Sequence, residues 1–176
     1  MTLIAAVQMA AGPQVQANLM EAGRLIKEAA DRGAKMVVLP ETFAIMGVTE
    51  AERVKVAEVF GNGPIQAFLS QQAKKYGVWL VGGTLPLRSE DEARVYAASL
   101  MYNAKGEVVA RYNKIHLFDV MLSENQEVYT ESDTTMPGNK QWWSTRLSVK
   151  WGWRFVTIYA SPNYSGIYQS RVRKFL

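Results

Sequence analysis

Short apolar runs that alternate with longer amphipathic stretches restrict this chain to an α/β architecture. Leu3 to Met9 is an apolar run suited to a buried strand, and Gly12-Pro13 breaks the chain after it. A helix is predicted over Val15 to Arg32, because Leu19, Ala22, Ile26 and Ala29 recur at spacings of three and four while Glu21, Arg24, Lys27 and Glu28 point elsewhere. Gly33 ends it. Met36 to Leu39 reads as a second buried strand stopped by Pro40, and Val54 to Phe60 as a short helix. After Gly61-Asn62-Gly63-Pro64, a helix through Ile65, Phe68, Leu69 and Ala73 reaches Tyr76, with the proline in its first turn. Val78 to Val81 is a third strand, closed by Gly82-Gly83. Tyr96 to Tyr102 and Glu107 to Tyr112 form two more strands joined by Asn103-Ala104-Lys105-Gly106, a hairpin turn with residues that accept a left-handed backbone. Helices covering a sheet follow from this order. Beyond Phe118 the pattern loosens and predicts no element.

A chain of 176 residues with 48% hydrophobic and 20% charged content can bury one sizeable core. The opening Met1-Thr2-Leu3-Ile4-Ala5-Ala6-Val7-Gln8 lacks the basic segment of a signal peptide, and no apolar run reaches the roughly 18 residues of a membrane span. A cytoplasmic protein without a membrane partner is expected. The chain has no cysteine and one histidine, His116, which argues against disulfides, thiolate metal sites and histidine-rich metal sites. No cofactor and no metal are expected.

The net charge of +4 is unevenly spread. Residues 142–176 hold six basic side chains (Arg146, Lys150, Arg154, Arg171, Arg173, Lys174) and no acidic one, leaving 14 basic and 16 acidic groups before them. Four of the five tryptophans, Trp142, Trp143, Trp151 and Trp153, fall in the same stretch. Composition changes abruptly there.

Two short segments carry chemistry. In Met36-Val37-Val38-Leu39-Pro40-Glu41-Thr42-Phe43 a carboxylate follows an apolar strand, and in Arg111-Tyr112-Asn113-Lys114-Ile115-His116-Leu117-Phe118 an amine follows another. Open α/β sheets place ligand-contacting residues just past their strands' carboxyl ends. Taken singly, Glu41 is as readily a surface glutamate and Lys114 a solvated lysine.

Together, these runs resemble the glutamate and lysine motifs of the nitrilase superfamily of carbon–nitrogen hydrolases. Ala5-Ala6-Val7-Gln8-Met9 resembles the family's first strand. Tyr129-Thr130-Glu131-Ser132 with Pro137-Gly138 is similar to its amidase branch, related to omega-amidase and deaminated-glutathione amidase. The resemblance covers about residues 3–141 and several motifs in order. It implies the amino-terminal half of an α-β-β-α sandwich, a subunit that pairs into homo-oligomers, and hydrolysis of small carboxylic-acid amides through a cysteine thioester. Glu41 would serve as general base and acid and Lys114 would stabilise the oxyanion. Glu131 resembles a further glutamate that positions the site, or is a solvated loop carboxylate. His116, Phe43 and Tyr112 are expected to be structural.

The family's cysteine should come after the Pro-Gly in a segment of the type Gly-Leu-Ala-Val-Cys-Tyr-Asp. Here the chain reads Trp151-Gly152-Trp153-Arg154-Phe155-Val156-Thr157-Ile158-Tyr159-Ala160-Ser161-Pro162. Tryptophan has a single codon, so the underlying bases are nearly fixed. Read from the third base of each codon beginning at Gln141, they give Val-Val-Val and then Gly, and synonymous choices allow a cysteine codon straddling Phe155 and Val156. The expectation is a partial hydrolase domain over 1–141 and an out-of-frame tail over 142–176 without a domain of its own. None of Ser148, Thr157 and Ser161 stands in a motif that would make it a replacement nucleophile. Phe155 to Ala160 is an uncharged, β-prone window of the aggregating type. Such a chain should expose apolar surface and unpaired strand edges. The alternatives are a non-catalytic module that binds small molecules or another protein, and a basic aromatic tail that binds nucleic acid or a membrane surface; the tail shows no recognised nucleic-acid motif.

Overall fold

The apolar runs become the strands of one sheet in the computed structural model. It describes residues 2–47, 49, 51–122, 127–138 and 166–172, with the backbone alone for 120–122, 127–129 and 166–172. Strands β1 (Thr2–Gln8), β2 (Met36–Val38) and β3 (Trp79–Val81) run parallel, separated by helices α1 (Val15–Asp31), α2 (Ala51–Lys55) and α3 (Pro64–Tyr76). A short strand β4 (Leu85–Arg88) and the hairpin of β5 (Val95–Tyr102) and β6 (Val108–Asn113) complete this side. β5 pairs antiparallel with β3, β4 and β6. It follows that β6 runs in the same direction as β2, so residues just past either strand emerge at the same end of the sheet.

Side chains alternate across the sheet, and the register separates its two faces. Ala5, Val37, Leu80 and Tyr102 turn toward the helices and join Leu25 and Ile26 of α1 and Ile65 and Leu69 of α3 in the core. The opposite face carries Ile4, Met36 and Trp79 in one row, and Ala6, Val38, Val81 and Met101 in the next. None of these belongs to the helix-side core.

The predicted helix over Val54–Phe60 is replaced by α2 ending at Lys55, after which Glu58 bridges to Leu87. The cause is a buried carboxylate with another task. Glu58 Oε1 accepts the Ile65 N–H at 2.5 Å and Oε2 accepts the Gln66 N–H at 3.1 Å, satisfying two donors that open α3. Gly63, at φ +153°, leaves the space this carboxylate fills, since a Cβ there would collide with the Glu58 carboxyl carbon.

Where the sequence predicted no element, the chain forms an antiparallel pair, β7 (Asp119–Leu122) with β8 (Glu127–Thr130), and then a 3₁₀ turn over Glu131–Asp133. The tail also contributes. Strand β9 (Gly166–Val172) pairs antiparallel with β1 from Thr2↔Val172 to Gln8↔Gly166, so the outer edge of β1 has a neighbour. Residues 139–165 and 173–176, which include the Phe155–Ala160 window and the expected position of the missing cysteine, lie outside the described residues. Among the described residues no helix is long and apolar enough to cross a membrane.

Candidate active site

Glu41 lies just past β2 and Lys114 just past β6, and the common direction of those strands brings them together. Lys114 Nζ lies 3.0 Å from Glu41 Oε1 and 2.9 Å from Glu131 Oε2, so one amine bridges two carboxylates. The three environments differ. The Glu41 side chain is 56% exposed, that of Lys114 is 23% exposed, and that of Glu131 is 4% exposed. Burial alone would lower the Lys114 pKa, but its hydrogen bonds to Glu131 and Glu41 outweigh that and hold it above the ordinary lysine value.

Each position is fixed by backbone contacts from distant segments. Leu39 N–H donates to Val81 O at 2.9 Å, and Thr42 N–H donates to Thr84 Oγ1 at 2.8 Å, clamping the Glu41 turn on both sides. Gly83, at φ +50°, makes the clamp possible because any Cβ there would strike the Pro40 carbonyl oxygen. Thr42 itself sits at φ 53°, a left-handed conformation that costs a β-branched residue about 1–2 kcal/mol, next to the candidate catalytic carboxylate. From the other side, Asn18 of α1 donates to Ala44 O at 2.9 Å and to Gly12 O at 2.7 Å. Lys114 N–H donates to Ala97 O at 2.9 Å, and Gly138 N–H donates to Lys114 O at 2.8 Å. The Pro137-Gly138 segment therefore holds the lysine's backbone.

Glu131 is more than a loop carboxylate at the surface. Its Oε2 accepts the Phe118 N–H at 2.8 Å, its Oε1 lies 3.9 Å from Arg53 Nη1, and Arg53 is itself buried. Arg53 was not singled out by sequence, because an arginine on a short polar helix reads as a solvated charge; its neighbours come from elsewhere in the chain. Asn18 and Thr84 escaped for the same reason. Phe43 is fully buried, as expected of a structural residue, and His116 is exposed and outside the lysine–carboxylate bridge.

Among the described residues, no group of three or more His, Cys, Asp or Glu side chains is placed to hold a metal ion. What the cluster offers is acid–base and electrostatic chemistry. An ammonium has three donors; here they meet Glu41 Oε1 at 3.0 Å and both Glu131 oxygens at 2.9 and 3.2 Å, so an oxygen of a bound molecule would replace the longer contact. Glu41, whose side chain is bonded to Lys114 alone among the described residues and open to solvent, is the carboxylate placed to exchange protons.

The carbon–nitrogen hydrolase family profile matches residues 3–160, and the chain belongs to that family. A deaminated glutathione amidase of Yersinia enterocolitica is 35% identical over 136 residues, covering 77% of this chain and 47% of its own length. The omega-amidase NIT3 of Saccharomyces cerevisiae is 35% identical over 156 residues, covering 85% of this chain and 52% of its own. The crystal structure of Saccharomyces cerevisiae Nit3, a member of branch 10 of the nitrilase superfamily, superposes with a TM-score of 0.66 at 32% identity, over 79% of this chain and 49% of that one. The Caenorhabditis elegans NitFhit protein gives a TM-score of 0.69 at 27% identity, over 78% and 33%. The chain spans about half the length of the curated relatives it matches, and its architecture is the amino-terminal half of the nitrilase-type α/β sandwich.

Proposed function

We propose that this chain presents the acid and amine of an amidase site for small carboxylic-acid amides, and that the 176-residue chain is itself catalytically inert because it contains no cysteine. The observation that carries this reading is the Glu41–Lys114–Glu131 bridge, with contacts of 3.0 Å and 2.9 Å to the lysine. In the reaction the resemblance implies, a thiol passes its proton to Glu41 and the thiolate attacks the amide carbon. Lys114, exchanging its longer contact to Glu131 Oε1, meets the oxyanion. Glu41 then returns the proton to the departing ammonia, and water, deprotonated by the same carboxylate, releases the acid from the thioester. Glu131 is the positioning carboxylate, anchored by Phe118 N–H and Arg53. The proton-handling groups are present and the nucleophile is not.

The site needs no cofactor, and the setting is cytoplasmic. Residues 142–176 are read as an out-of-frame tail, supported by the loss of acidic residues and the run of tryptophans that begins at Trp142.

The test combines turnover with binding. The purified chain should release no ammonia from small ω-amides, while the same amides should raise its melting temperature saturably, and Lys114→Met should abolish that rise. Turnover without a cysteine, or stabilisation unchanged in Lys114→Met, would reject the assignment.

A further inference from the structure

We propose that a cleft beside the start of α3 is a second binding site, for an amphipathic monocarboxylate: a short aliphatic acid held by both its head and its tail. The cleft, of about 480 Å³, lies where α1 begins at Val15, α2 ends at Lys55, α3 begins at Pro64 and β4 ends at Arg88. That volume is within the range of about 300–1,000 Å³ usual for small-molecule sites. None of Glu41, Lys114 and Glu131 lines it, so it is separate from the amidase site and independent of that assignment.

The walls select the ligand. Val15, Val56, Val59 and Ile65 give the cleft apolar surface, and Val59 remains 53% exposed although it is aliphatic. The charged groups in the lining are Lys55, Arg88 and Glu58. Glu58 is already committed, because Ile65 N–H, Gln66 N–H and Gln66 Nε2 all donate to its carboxylate. The cations are not. Both are exposed, and among the described residues neither has an ion pair; the Arg88 side chain makes one long contact, from Nε to Ala57 O at 3.4 Å. Two cations and one carboxylate leave the lining a net charge of +1, which a carboxylate balances and a dianionic phosphate overshoots. Arginine's planar fork also matches a carboxylate's two oxygens.

The cleft is shaped before any ligand arrives. Glu58 N–H donates to Pro86 O at 3.1 Å and Arg88 N–H to Glu58 O at 2.9 Å, tying one wall to β4, while the Glu58 carboxylate ties it to α3. Binding therefore orders little new backbone.

The full chain, labelled with nitrogen-15, is titrated with acetate, butyrate and hexanoate and followed by its amide chemical shifts. Hexanoate should bind saturably, with shifts centred on Val56, Val59 and Ile65. It should bind at least about tenfold more tightly than acetate, since each buried methylene adds up to about fourfold. Lys55→Gln and Arg88→Gln, at exposed positions that leave the fold intact, should each weaken hexanoate by about threefold, as loss of an exposed ion pair does. Met20→Gln, elsewhere on α1 where Met20 is 69% exposed, should leave binding unchanged. The proposal is overturned by absence of saturation, by affinity independent of chain length, or by affinity unchanged in both glutamine variants. Inorganic phosphate binding as tightly as hexanoate overturns it too. So do shifts centred on Lys114, which would put the acid in the amidase site. Amide binding and turnover enter none of these readouts, so the two assignments fail separately.

Discussion

Replacing Glu131 by glutamine should cost far more than the same change at Glu41, although both carboxylates bond the same lysine. Glu131 faces Lys114 Nζ at 2.9 Å and Arg53 Nη1 at 3.9 Å, and both its own side chain and that of Arg53 are more than nine-tenths buried. At an effective dielectric near 20 those contacts represent attractions of about 6 and about 4 kcal/mol, set against a desolvation cost of several kcal/mol for each ion. The amide keeps an acceptor for Phe118 N–H and nearly the same shape. What it removes is the charge that balances two cations. Losing that charge costs about 3–5 kcal/mol, with the lower end favoured because Lys114 keeps Glu41 at 3.0 Å and is 23% exposed. Glu41, at 56% exposure and with one ion pair among the described residues, should cost about 0–1 kcal/mol. Urea denaturation tracked by far-ultraviolet circular dichroism separates the two. With a slope of about 2 kcal/mol/M, the Glu131→Gln midpoint should fall by about 1.5–2 M and the Glu41→Gln midpoint by less than about 0.5 M. Equal shifts would refute the view that burial, rather than contact with lysine, sets the energetic weight of each carboxylate.

Further outcomes rest on the same contacts. Because Lys114 has a raised pKa in the folded chain, its contribution is fully present below the ordinary lysine value of about 10.4 and is lost as pH rises through the higher folded value. Stability measured between pH 9 and about 11.5 should therefore decline, and Lys114→Met should flatten that part of the decline; an unchanged slope would contradict the sign. Glu58→Ala strips the acceptors from Ile65 N–H, Gln66 N–H and Gln66 Nε2 and should cost about 2–3 kcal/mol, read as a lower melting temperature. Gly83→Ala combines a left-handed backbone with a collision against the Pro40 carbonyl, and should both destabilise by more than about 1 kcal/mol and weaken amide binding by displacing Glu41. A fully stable Gly83→Ala chain with normal binding would show that the turn is not clamped.

The elements most legible in the sequence were those whose burial writes itself into periodicity. The α1 stripe and the runs that became β1, β2, β3 and β5 are of this kind, since a strand covered on a core face must be apolar wherever it faces inward. β4 escaped because Pro86 interrupts it, and β7 because Asp119 opens a short mixed segment. The helix read over Val54–Phe60 failed for a tertiary reason: Glu58 is worth more as the anion at the start of α3 than as a helical residue of its own. In the site, Glu41, Lys114 and Glu131 were marked by the motifs around them. Arg53, Asn18 and Thr84 carry no such mark, because each matters only through a contact that folding creates between segments remote in sequence.

The pairing of β1 with β9 imposes an order of events on synthesis. Thr2 meets Val172 and Gln8 meets Gly166, so the first strand made must wait for one near the far end of the chain before its outer edge is occupied. At a translation rate of about 5–20 residues per second, that delay is about 10–30 s, long against the microseconds in which a hairpin closes. Throughout it, the backbone groups along that edge stay open to pairing with another strand.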